Sequence, residues 1–179
     1  MTIEETSLSG CLLLQPKLFN DTRGYFFESF NKNAFEKLIG SACDFVQDNQ
    51  SFSSYGTIRG LHFQVGDYAQ AKLIRAISGQ ILDVVVDLRS DSPTYGSWMT
   101  QILDDKENKQ LFIPRGFAHG FAVLSLTAVI AYKCDNYYNK EHERGIRFDD
   151  PTLAIDWELP ESARILSEKD LYLPLLNQI

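Results

Sequence analysis

The chain is poor in the residues that staple a fold or bind a metal. Of its 179 residues only three are cysteine, Cys11, Cys43 and Cys134; an odd number at wide spacing offers no disulfide framework and no CxxC metal or redox pair. They read as reduced thiols of a cytoplasmic protein. Basic residues are outnumbered, 17 Lys and Arg against 24 Asp and Glu, for a formal charge of −7. That balance argues against nucleic acid and anionic membrane as partners, because both depend on positive charge. No run approaches the roughly 18 apolar residues of a membrane span, and Met1-Thr2-Ile3-Glu4-Glu5-Thr6 lacks the basic start and apolar core of a leader. The GxGxxG signature of a dinucleotide-binding turn is absent. Without repeats, low-complexity tracts or a Pro/Gly/Ser linker, the expectation is one domain over 1–179, long enough to bury a core unaided.

What the chain does have is aromatic and β-branched residues in short runs. Twelve Phe and eight Tyr contribute to an aromatic share of 12%, which leans towards strands. Leu12 to Leu14, Tyr25 to Phe30, Phe45-Val46, Lys72 to Ile77, Gln80 to Leu88, Ser97 to Leu103, Leu111 to Ile113, His119 to Val123 and Ala128 to Cys134 are each bounded by turn residues. Many short strands separated by turns indicate a sandwich, jelly roll or barrel. Phe35, Leu38 and Ile39 have helical spacing, with Asn31 or Asn33 as cap and Gly40 as stop. Pro160 to Leu176 has room for one or two short helices. Residues Gln47-Asp48-Asn49 read as a polar loop.

Histidine is as scarce as cysteine, with only His62, His119 and His142. In Arg59-Gly60-Leu61-His62-Phe63-Gln64 a titratable ring sits in an apolar stretch, flanked by an arginine and an amide. If this segment is extended, His62 shares a face with Gly60 and Gln64, and on a following strand Lys72 shares a face with Ile74 and Ala76 while Arg75 points away. The favoured cluster is Arg59, His62 and Lys72. It is consistent with a base beside an anion site, and equally with a structural histidine among surface charges. Pro114-Arg115-Gly116-Phe117-Ala118-His119 has the PxGxxH form of one half of the bipartite cupin pattern, but the HxH pair of the other half is missing. Two candidate histidines are too few for most zinc or iron sites. The expectation is a mainly β, cupin-like jelly roll with a few short peripheral helices and no catalytic metal. His119 is then a substrate contact or a structural support. Tyr132, in Ala128 to Lys133, is a core aromatic or a general acid, and Asp170, closing Ser167-Glu168-Lys169-Asp170, is a helix-capping residue or a carboxylate that orients an imidazole.

Taken together these segments resemble the dTDP-4-dehydrorhamnose 3,5-epimerase family over nearly the whole chain. The matching residues include Asp21-Thr22-Arg23-Gly24, Glu28-Ser29-Phe30, Phe45 to Asn49, Arg59 to Gln64, Gln70 to Arg75, Ser92 to Gly96, Ile113 to Phe121, Asn136 to Asn139 and Ser167 to Asp170. The resemblance implies a cofactor-free homodimer with exchanged N-terminal elements, acting on a dTDP-4-keto-6-deoxyhexose in dTDP-L-rhamnose synthesis. It implies His62 as general base, Asp170 as its dyad partner, Tyr132 as general acid and Lys72 as the cation at the 4-keto oxygen. Arg23, Glu28, Gln47, Asn49, Arg59, His119, Glu143 and Lys169 would match substrate contacts, and Tyr138 would stack on thymine. The competing readings are an epimerase acting at only one of the two carbons, a non-catalytic cupin that binds nucleotide sugars or a partner protein, and a metal-dependent isomerase.

Overall fold

The computed structural model describes residues 1–179. Thirteen strands occur: β1 (Thr2–Glu5), β2 (Leu12–Gln15), β3 (Phe19–Asp21), β4 (Gly24–Phe26), β5 (Gln47–Ser54), β6 (Ile58–Gln64), β7 (Lys72–Ser78), β8 (Gln80–Asp87), β9 (Trp98–Asp104), β10 (Gln110–Ile113), β11 (Phe117–Val123), β12 (Thr127–Cys134) and β13 (Glu143–Gly145). A six-stranded sheet runs β1-β2-β10-β7-β12-β5, and a five-stranded sheet β13-β6-β11-β8-β9. Every pairing within the two sheets is antiparallel. Face to face, the sheets form a cupin-like jelly-roll sandwich, as the run of short strands leads one to expect.

Side-chain alternation sorts the apolar residues into three layers. Between the sheets, Ile74, Ala76, Leu111 and Ile130 meet Ile81, Val85, Phe117 and Phe121. On the far side of the five-stranded sheet, Leu61, Leu82, Val84 and Val86 are covered by Ile146, Leu153, Trp157 and Leu159 of the C-terminal segment. Strand β8 is therefore covered on both faces, which explains its nearly unbroken apolar sequence. On the far side of the six-stranded sheet lies helix α1 (Lys32–Ile39), capped by Asn31, whose side chain accepts from the Ala34 N–H, and stopped by Gly40 at φ 72°. Its one buried residue, Phe35, packs among the rings of Phe30, Phe45 and Phe112 at 5.2–5.7 Å. Burying such a ring contributes about 2–3 kcal/mol, which holds an otherwise polar helix in place.

Three segments depart from expectation. Gln47 to Ser54 is a strand, where a polar loop was expected at its start; one face lines a cavity and the other faces solvent, so no apolar alternation marks it. The Tyr25 to Phe30 run is strand only to Phe26, because β4 has a single neighbour, β3, to pair with. This two-stranded arm stands away from both sheets, with Phe19 54%, Tyr25 53% and Phe26 71% exposed. Finally, Phe45-Val46 is not a strand but leads into β5, which begins at Gln47. The C-terminal region, as expected, holds the short helix α2 (Glu168–Leu171), capped by Ser167, along with single 3₁₀ turns. No helix is long and apolar enough to cross a membrane.

Candidate active site

At one end of the sandwich the apolar filling gives way to a cavity of about 690 Å³, within the usual range for a small-molecule site. It opens where the edge strand β5 faces β6. Strands β7 and β12 supply Lys72 and Tyr132, and β11 supplies His119 from within a wholly buried strand. Arg59 reaches the same face as His62 through a local irregularity. Between β6 and β11 the register shifts, so that His119 lies opposite His62 while Phe121 lies opposite Arg59. The extra residue turns both Arg59 and His62 inward and leaves Ile58 and Leu61 in the outer core. Gly60 makes this possible: its φ is 111°, and a Cβ there would lie 2.7 Å from Gly120 Cα and from the His119 carbonyl oxygen.

His62 Nε2 lies 2.6 Å from Asp170 Oδ1, with the carboxylate side chain only 4% exposed. Burial pushes the Asp170 carboxyl up, but the bond and charge of His62, the Ser167 cap and the Gly60 N–H outweigh it and hold the group below the usual aspartate range. An ionised carboxylate only accepts, so Nε2 carries the proton and Nδ1 keeps the free lone pair. Ser167 is the helix cap, and the Asp170 side chain, which makes no cap bond, is directed to the His62 ring. The Ser167 Oγ accepts from the Asp170 backbone N–H, and that turn aims the carboxylate at the ring.

Two potential donors in the cavity are left unpaired. Burial lowers the Lys72 ammonium, while Cys134, Asp83 and Glu143 act on it through space without bonding to it. The Tyr132 phenol is pushed up by burial and likewise bonds to no protein group, so it stays protonated. At the rim, Tyr138 Oη donates to Glu143 Oε2 at 2.8 Å and Lys169 Nζ meets the same oxygen at 2.6 Å. Burial alone would raise Glu143; these bonds outweigh it and hold the carboxyl low. Gln47 receives the Tyr138 N–H and bonds Asn49, and Arg59 Nε donates to Ser53 Oγ at 3.0 Å.

A second carboxylate, Asp83 of β8, lies behind the cavity wall in contact with a lining residue, and sequence reading missed it. It is fully buried and bonds His119 Nε2 at 2.9 Å. Burial raises the Asp83 carboxyl and lowers the His119 imidazole, moving both towards neutrality against their mutual attraction. The available signal was an acid inside Ile81-Leu82-Asp83-Val84-Val85-Val86, on the inward face of a strand. No group of three or more His, Cys, Asp or Glu is arranged to hold a metal ion.

Of the expected site residues, His62, Lys72, Tyr132, Asp170, Gln47, Asn49, Arg59, His119, Tyr138, Glu143 and Lys169 all line this cavity. Arg23 and Glu28 do not. Arg23 is 87% exposed in the β3–β4 turn, paired with Asp21 at 2.6 Å, and Glu28 accepts from Asn31. Within one chain neither reaches the cavity: Arg23 sits in the turn of the β3–β4 arm, and Glu28 lies beyond that arm, next to Ser29, whose carbonyl accepts from Gln110 of β10.

The profile of the dTDP-4-dehydrorhamnose 3,5-epimerase family matches residues 5–178. The chain belongs to this family. A structure of the epimerase of that name from Elizabethkingia anophelis superimposes with a TM-score of 0.96 at 50% identity, covering 99% of this chain and 97% of that one. The dTDP-6-deoxy-D-glucose-3,5-epimerase of Legionella pneumophila, solved in complex with dTDP-4-keto-L-rhamnose, gives 0.95 at 46% identity, covering 99% and 94%. The dTDP-4-dehydrorhamnose 3,5-epimerase of Escherichia coli K12 is 47% identical over 179 residues, which is 100% of this chain and 96% of that one. The fold and catalytic class of this isomerase family thus agree with the cavity built from the residues upward.

Proposed function

We propose that the chain converts dTDP-4-dehydro-6-deoxy-D-glucose to dTDP-4-dehydro-L-rhamnose by inverting C3 and C5 in turn, as a step of dTDP-L-rhamnose synthesis. The 4-keto group acidifies the hydrogens on both neighbouring carbons. At each centre the C–H bond breaks as His62 Nδ1 takes the proton, and the electron pair moves onto the 4-oxygen as an enolate. Lys72 meets that negative charge. The pair then returns to carbon, forming a new C–H bond with the Tyr132 phenol proton on the opposite face. Before the second inversion His62 releases its proton to water and the Tyr132 phenolate regains one from water, so the protein returns to its starting protonation state; electrons are conserved at every step and no redox partner enters. The observation that carries this reading is the meeting, in one cavity, of the 2.6 Å His62–Asp170 pair with an unpaired Lys72 ammonium and an unpaired Tyr132 phenol.

Arg59, Gln47, Asn49, His119, Glu143 and Lys169 hold the nucleotide sugar, and Tyr138 stacks on the thymine. Arg59 offsets diphosphate charge, which reconciles an anionic substrate with an acidic chain. The protein works in the cytoplasm as one domain over 1–179 and as a homodimer. The exposed aromatic arm of each copy reaches the other's cavity and brings Arg23 and Glu28 of the partner subunit to the substrate. That arrangement would bury aromatic surface that a lone chain leaves in water. The test is conversion of dTDP-4-dehydro-6-deoxy-D-glucose followed by NMR. Ring-proton couplings of a product inverted at both C3 and C5 support the reading, and a product inverted at one carbon or unchanged substrate opposes it.

A further inference from the structure

The inner face of β5 presents a polar ladder, Gln47, Asn49, Ser51 and Ser53, at successive inward positions. Three rungs have partners. Gln47 bonds Asn49 and receives the Tyr138 N–H; Asn49 also reaches Cys134 Sγ; Ser53 accepts from Arg59 Nε. Ser51 is the exception. Its Oγ is buried in the wall of the cavity and no protein group lies within hydrogen-bond reach. Its cross-strand neighbour on β12 is Ile130, which has nothing to offer a hydroxyl.

A buried, unpartnered hydroxyl weakens the empty fold, and alanine would fill the same strand position without that penalty. The hydroxyl is therefore explained by something that enters the cavity. Its position indicates what that is. Ser51 stands one rung from Ser53, the residue that anchors the Arg59 guanidinium, and one rung from Asn49, which lies opposite Tyr132. In the proposed function Tyr132 faces the hexose and Arg59 the diphosphate. A group between them meets the junction of the two.

Resting on that reading, we infer that Ser51 is a substrate-binding residue whose hydroxyl donates to a phosphate oxygen at the sugar end of the diphosphate. The bond is present in ground state and transition state alike, so its loss acts on binding and leaves turnover alone.

The experiment compares the parent protein and Ser51→Ala by calorimetric titration with dTDP, steady-state kinetics with the nucleotide sugar, and thermal unfolding without ligand. The expected variant binds dTDP about tenfold more weakly, as the loss of one charge-assisted hydrogen bond predicts. It shows a similar rise in KM, an unchanged kcat, and an unfolding temperature equal to or above the parent's. Unaltered dTDP affinity overturns the inference. So does weaker binding accompanied by a lowered unfolding temperature, which assigns Ser51 to the fold instead. A parent protein that itself fails to bind dTDP overturns the nucleotide-sugar reading, and is distinguishable because the variant is then not needed to see it.

Discussion

Replacing Asp170 by asparagine keeps the size of a side chain that is 4% exposed and removes its charge. In the proposed mechanism His62 becomes a cation when it takes a proton from carbon, and its Nε2 lies 2.6 Å from Asp170 Oδ1. Two unit charges with centres about 4 Å apart gain roughly 4 kcal/mol at an effective dielectric near 20. An asparagine carbonyl can still accept a neutral hydrogen bond from the ring, which retains about 1 kcal/mol. The remaining loss of about 3 kcal/mol corresponds to roughly 100-fold in rate. Because this charge acts only once the imidazolium forms, kcat of Asp170→Asn should fall about 100-fold with KM little changed. The fold should survive, since the Ser167 cap uses the backbone N–H of residue 170, which asparagine keeps. Circular dichroism and thermal unfolding check the fold, and initial rates check the chemistry. A folded variant whose kcat stays within about threefold of the parent would refute the role given to the dyad.

Tyr132→Phe should still wash solvent deuterium into the substrate, because His62 can return a proton to the face it came from, while net inversion falls by about 100-fold or more; NMR separates label from configuration. Lys72→Met should reduce kcat by a similar factor. It should also leave the protein as stable or more so, since the native cavity disfavours the ammonium; a clear fall in unfolding temperature would contradict this. Asp87 accepts from Arg89, Ser92 and Thr94 while wholly buried, and although burial opposes them these bonds hold its carboxyl well below the usual range. The stabilisation from a depressed carboxyl is complete above the unfolded-state value near 3.9 and is lost as pH falls below it towards the folded-state value, so Asp87→Asn should flatten the drop in unfolding temperature between about pH 4 and pH 2. Mixing inactive His62→Ala and Arg23→Ala chains, after dissociation and reassociation, should recover about a quarter of parental activity if Arg23 serves the neighbouring copy, because half the dimers are mixed and each then has one complete site. No recovery would oppose exchange of the arm.

The cluster around His62 was legible because period-2 alternation needs only one reliable strand. Lys72 could be placed with Ile74 and apart from Arg75 without any tertiary knowledge, and Arg75 indeed lies on the outer face, over the Phe27 ring. The apolar strands that build the sandwich were legible for the same reason. Strand β5 was hidden because both of its faces are polar, one towards the cavity and one towards water, and a pattern method detects only contrast between faces. Parity along β6 could not be read through Gly60, where an added residue shifts the register. Asp83 was overlooked because a lone acid in an apolar run gives no hint of the histidine, 36 residues away in sequence, that it bonds. Arg23 and Glu28 illustrate a different limit: motif resemblance assigns a residue to a site, while within one chain neither lines the cavity.

The central claim is that one imidazole removes protons from both carbons flanking the keto group. It is tested most directly by incubating the protein with dTDP-4-keto-6-deoxyglucose in heavy water and locating the label by NMR. The account predicts deuterium at both C3 and C5 with the parent protein and at neither with His62→Ala. Label at only one carbon, or normal labelling by the variant, would contradict it.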